Sequence, residues 1–98
     1  KKNIEEEKKK LLDEAAKQSQ AIKDAAKSSS DQVKKEGYAQ ADALQNKGAN
    51  PFEKIANKKL AEKLRKETDE KAKKIIDEGN QKSDKLMAEA KAKADAIK

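Results

Sequence analysis

Histidine and cysteine are both missing from this chain of 98 residues. Their absence removes the imidazole base, the thiol nucleophile, the disulfide and any His- or Cys-bound zinc or iron site, and it fits any redox compartment. The aromatic residues are Tyr38 and Phe52, and the one arginine is Arg65, so a base-stacking platform or a bidentate phosphate clamp has little material to be built from. The runs of bulky aliphatics, Leu11-Leu12, Ile75-Ile76 and Leu86-Met87, are two residues long. A membrane span needs about 20 apolar residues and a signal-peptide core about 7 to 15, and neither is legible. Glycine and proline are scarce too, at three and one. Lys47-Gly48-Ala49-Asn50 has a single glycine and no following Lys-Ser/Thr, so it is not a phosphate loop.

What is present is charge: 45% of the residues are Asp, Glu, Lys or Arg, 34% are hydrophobic, and the mean hydropathy is -1.25. Such a composition fits long helices packed along a narrow seam or a disordered solvating chain, and only periodicity separates the two. The excess of 25 basic over 19 acidic residues divides as 11 against 9 before Ala49 and 14 against 10 from there on, so it is spread along both arms. The chain begins with Lys1 rather than Met and is read as a processed or excised piece. An anchor upstream would make it a spacer in a bacterial cell envelope, and without one the compartment stays open.

Mid-chain, Lys47-Gly48-Ala49-Asn50-Pro51-Phe52-Glu53 carries a helix stop and a helix start in the right order. Gly48 suits the left-handed position past a helix end, with Lys47 favourable to the negative end of the dipole. Asn50 is a strong N-cap, Pro51 fits the first helical position, and Glu53 is placed to reach back to the Asn50 amide and complete a capping box. The prediction is an all-α fold, a single helical hairpin over 1–98, with helix 1 at 1–47, a turn at 48–50 and helix 2 at 51–97.

The apolar residues support this. Leu11, Ile22, Val33 and Leu44 recur every eleven residues, as do Ile4, Ala15, Ala26 and Gly37; the second arm repeats the interval in Leu64, Ile75, Leu86 and Ile97 and in Ala61, Ala72, Ser83 and Ala94. Eleven residues make three turns at 3.67 per turn, which keeps a stripe nearly straight. Folding the chain about Ala49 sets Ile4 opposite Ala94, Ala15 opposite Ser83, Ala26 opposite Ala72 and Gly37 opposite Ala61, with Leu44 near Phe52 and Ile55. Layers of large side chains then alternate with layers of small ones.

Ser28-Ser29-Ser30-Asp31 resembles a helix start and marks a candidate hinge, although the rows run through it and Thr68 falls at the height of Ser30. Gly37 and Gly79 each weaken a helix by about 1 kcal/mol relative to alanine. Close approach to Ala61 explains Gly37, whereas Gly79 marks a candidate kink. Acid-to-lysine steps of four, such as Glu5/Lys9, Asp13/Lys17, Glu62/Lys66 and Glu70/Lys74, support exposed helix by roughly 0.2–0.5 kcal/mol each.

The eleven-residue rows and Ala/Lys/Glu/Asp-rich arms resemble the stalks of rotary ATPases and the hairpin arms of Skp/OmpH-type periplasmic chaperones, and are similar in composition to late-embryogenesis-abundant proteins. The lack of any strand pattern departs from the β-containing body of a Skp-like chaperone. The resemblance implies a structural role and carries no residue-specific one.

No catalytic, cofactor-binding or metal-binding residue is expected. The carboxylate groups Glu5-Glu6-Glu7, Asp13-Glu14 and Asp69-Glu70 point about 100° apart at successive helix positions, beside lysines, and read as solvated charge. The functional expectation is a non-enzymatic structural or protein-interaction module, a rigid helical spacer, without cofactor or small-molecule substrate. Leu12, Ile76 and Met87 widen the stripe on one flank and are the candidate contact to a protein partner or a second copy; Gly48, Asn50 and Pro51 form the turn. The alternative is a basic helical surface on an anionic membrane or nucleic acid, weakened by the interleaved acids and by the missing Trp/Phe/Leu face.

Overall fold

Pro51 opens the second of two long helices, and the five residues before it make the reversal. The computed structural model describes residues 2–97. Helix α1 spans Lys2–Gln45 and helix α2 spans Pro51–Ala96, forming an all-α helical hairpin with no strand among the described residues. The expected first helical residue, Lys1, lies outside the described residues. Contacts group the chain into two compact units, Lys1–Ala26 with Ile76–Lys98, and Lys27–Ile75.

The connection is longer than expected, because α1 stops at Gln45 and not Lys47. After the bond from Asn46 N to Asp42 O (3.0 Å), the chain tightens to a three-residue step from Lys47 N to Leu44 O (3.2 Å). Gly48 then takes φ 126°, a conformation L side chains rarely adopt. The Lys47 carbonyl is turned toward α2, where it accepts a hydrogen bond from Asn57 Nδ2 at 2.9 Å. Asn50 caps α2 through its Oδ1, which accepts from Glu53 N at 2.9 Å. The Glu53 carboxylate reaches back as a capping box would, but it accepts from Ala49 N at 2.8 Å rather than from the Asn50 amide. At the other end α2 stops at Ala96, one residue short of the expected Ile97.

In the unit Lys27–Ile75, the buried line consists of Ser30, Ala41, Ala61, Thr68 and Ala72. Ser30 Oγ donates to the Ala72 carbonyl at 3.1 Å, so the serine cluster is a polar contact inside an unbroken helix and not a hinge. Gly37 faces Thr68, whose Cβ would lie 2.9 Å from any Cβ added at residue 37. In the unit formed by Lys1–Ala26 and Ile76–Lys98, the buried line is Ala15, Ser19, Gly79, Ser83, Ala90 and Ala94. Ser19 Oγ and Ser83 Oγ share a hydrogen bond. Gly79 lies where a side chain would overlap the Ala26 Cβ, so it is a point of close helix approach and α2 passes through it without interruption.

The large aliphatics line grooves beside the seam, Leu11 with Leu86 and Val33 with Leu64. Leu11, Ile22, Val33, Leu44, Leu64, Ile75 and Leu86 are all half-buried and edge the seam, while alanine, serine, threonine and glycine hold its centre. The facing pairs differ from those obtained by folding about Ala49. Ser83 meets Ser19 rather than Ala15, Gly37 meets Thr68 rather than Ala61, Ala26 meets Gly79 rather than Ala72, and Ser30 bonds the Ala72 carbonyl rather than standing level with Thr68. The offset is about one helical turn. The connection shares this asymmetry, because Lys47 lies beside Asn57, in the second turn of α2, where its carbonyl accepts from Asn57 Nδ2.

Candidate functional site

The residues flanking the seam, Leu12, Ile76 and Met87, all fall in the unit formed by Lys1–Ala26 and Ile76–Lys98, and each is half-buried. Much of their apolar surface is therefore already covered. Gly48, Asn50 and Pro51 come together in the turn as expected from their backbone preferences. The carboxylates of Glu5-Glu6-Glu7, Asp13-Glu14 and Asp69-Glu70 are exposed, and no group of three His, Cys, Asp or Glu side chains suited to a metal ion occurs among the described residues.

Two shallow grooves run beside the seam. One of about 120 Å³ is lined by Leu11, Ala15, Leu86 and Ala90, and another of about 230 Å³ by Val33, Gly37, Leu64 and Thr68. Both fall short of the roughly 300–1,000 Å³ of a ligand pocket. No helix among the described residues is long and apolar enough to cross a membrane.

The surface the sequence reading missed lies at the start of α2. Phe52 is 86% exposed, Ile55 59% and Leu60 53%, although Phe52 and Ile55 were expected to pack with Leu44. With the exposed Ala56 they stand at positions i, i+3, i+4 and i+8, an apolar stripe on one side of the helix. The opposite side, with Ala61 buried and Asn57 and Leu64 half-buried, is the one that faces α1. The lysines share this stretch: residues 51–66 hold six basic residues against two acidic, whereas residues 67–98 hold eight of each. The positive excess is present in both arms, and within the second arm all of it sits in the first sixteen residues of α2.

Three polar contacts hold this end of the hairpin together. Arg65 Nη2 donates to Asp42 Oδ1 at 2.6 Å and to Gln45 Oε1 at 2.8 Å, tying α2 to the last turn of α1. The Tyr38 hydroxyl donates to Asp69 Oδ1 at 2.5 Å. That hydrogen bond, with partial burial and the carboxylate charge, raises the phenol above its ordinary value of 10.0, and Arg65 opposes the rise. The spacing of Phe52, Ile55, Ala56 and Leu60 among lysines was the signal available in the sequence, and it was masked by setting Phe52 and Ile55 against Leu44.

No protein family, no curated protein and no solved structure matches this chain.

Proposed function

We propose that the chain is a non-enzymatic structural and protein-interaction module, an eleven-residue coiled coil that serves as a helical spacer. The observation that carries this reading is the composition of the buried line. In α2 the buried positions 61, 72, 83 and 94 and again 68, 79 and 90 are spaced by eleven, and every one of them is alanine, serine, threonine or glycine. Small residues at that period let two helices run close together over many turns without enclosing a cavity, which is a property of length and stiffness rather than of substrate binding. No buried side-chain polar atom lacks a hydrogen-bond partner among the described residues, so the polar seam does not demand a ligand to complete it. The flank of Leu12, Ile76 and Met87 is the side through which this module meets a protein partner.

Removing one repeat from each helix tests the reading. Deleting residues 20–30 together with 73–83 keeps the eleven-residue phase and should leave a cooperatively melting helical protein, whereas deleting seven residues from each arm should break the match. Divalent metal ions and nucleotides should leave the melting temperature unchanged. Loss of folding in the eleven-residue variant, or a rise of several degrees with one of those ligands, would overturn the proposal.

A further inference from the structure

The apolar stripe and the positive charge at the start of α2 occupy the same side of the helix. At 100° per residue, Ile55, Lys59, Phe52, Lys63, Ala56 and Leu60 fall in an arc of roughly 140° that lies away from the buried Ala61. Lys59 falls between Ile55 and Phe52 in this arc, and Lys63 between Phe52 and Ala56. We propose that this tip docks on an anionic lipid surface, with Phe52, Ile55 and Leu60 entering the headgroup boundary and Lys59 and Lys63 reaching phosphate oxygens beside them.

Charge complementarity and the placement of Lys59 choose this occupant. A protein groove that took the stripe would bury the Lys59 ammonium or need a carboxylate placed to meet it. At a membrane the long alkyl stem lies along the apolar boundary while the ammonium stays at the phosphates. A second copy of the chain would bring two tips together, each with six basic and two acidic residues over positions 51–66, and like charges would oppose the contact. Residues 67–98 are balanced, so all the excess charge of the second arm falls in this stretch. Such a helix lies in the interface without spanning it, in keeping with the absence of a membrane-crossing helix among the described residues.

Vesicle sedimentation tests the docking. The probe is phosphatidylcholine vesicles with and without about 30% phosphatidylserine, at salt of about 0.02 and 0.15 M. Binding to the anionic vesicles should exceed binding to the neutral ones by at least about tenfold and persist, weakened, at the higher salt. Phe52→Ala/Ile55→Ala and Lys59→Glu/Lys63→Glu should each reduce it at least about fivefold, while Lys82→Glu/Lys85→Glu, an equal charge change in the neutral part of α2, should alter it less than about twofold. All six positions are exposed, and circular dichroism checks that each variant remains helical. A Phe52→Trp variant should show a blue shift on anionic vesicles. Absent binding, equal binding to neutral vesicles, or equal loss in the Lys82/Lys85 variant would overturn the proposal. So would self-association abolished by Phe52→Ala, or capture of an acidic helical peptide in place of vesicles.

Discussion

Gly79 and Ala26 stand so close across the helix pair that the single methyl group separating alanine from glycine would overlap the Ala26 Cβ. In an exposed helix Gly79→Ala would stabilise by about 1 kcal/mol. Here the overlap falls between two backbone-anchored atoms, and overpacking of this kind costs about 1–3 kcal/mol. Gly79→Ala should therefore lower the melting temperature, and adding Ala26→Gly should restore much of the loss. Urea titration followed by circular dichroism measures both; a more stable single variant would mean that the helices separate there at no cost.

Ser19 and Ser83 make a second close contact in the same unit, with each hydroxyl buried and partnered by the other. Replacing one by alanine leaves the other in the seam without its partner, at a cost of about 1 kcal/mol, since a helical serine recovers part of the loss by turning to its own preceding carbonyl. The double variant Ser19→Ala/Ser83→Ala should be at least as stable as the better of the two single variants. A double-mutant cycle with no coupling would show that the two hydroxyls do not act as a pair.

Tyr38 offers a spectroscopic reading of the hairpin, because it is the single tyrosine and tryptophan is absent. Its hydroxyl donates to Asp69, so the neutral phenol is favoured in the folded chain and titrates above 10.0. A folded value raised above the unfolded one contributes stability that is fully present below the unfolded value and is lost as pH rises through the folded one. Ultraviolet absorbance should thus place the transition above 10.0, with Asp69→Asn moving it down and removing the part of the alkaline stability loss that belongs to this contact. An unchanged midpoint in Asp69→Asn would show that the hydrogen bond does not persist in solution.

Asn50→Ala removes the acceptor for Glu53 N and should destabilise by about 1 kcal/mol, as loss of an N-cap does. Gly48→Ala should also destabilise, since residue 48 holds φ 126°. Both effects are to be read as shifts in urea midpoint without a change in slope. If Gly48→Ala stabilised the chain, the turn would have a different backbone path.

The turn was legible because Gly48, Asn50 and Pro51 act through their own backbone preferences, which need no knowledge of the other arm. The outer rows were legible for a similar reason: Leu11, Ile22, Val33 and Leu44 announce themselves by hydrophobicity. The centre of the seam was legible in part: Ala15, Ala61, Ala72, Ser83 and Ala94, which stand in the small eleven-residue rows, are buried. Its other residues include Ser19, Ser30, Thr68 and Gly79, which an apolar search passes over, and which qualify by small volume and hydroxyls able to satisfy themselves locally. The register was hidden as well, because folding about Ala49 takes the connection as symmetric, whereas Asn57 Nδ2 donates to the Lys47 carbonyl, a contact between polar groups that no periodicity marks. The exposed stripe of Phe52, Ile55 and Leu60 followed from that error, since a connection folded back on α2 leaves the first turns of that helix beyond the reach of Leu44.

A seam built from alanine and hydroxyl side chains also sets how stability responds to temperature. The heat capacity of unfolding rises with apolar surface exposed and falls with polar surface exposed, and averages about 12–15 cal/mol/K per residue in globular proteins. Here the largest fully buried side chain is that of Ser83, and the aliphatics keep part of their surface in water when folded. The heat-capacity increment per residue should lie below that range, giving a broad, shallow stability curve. Calorimetry would then find a protein that loses little stability on cooling, with cold denaturation displaced far below freezing.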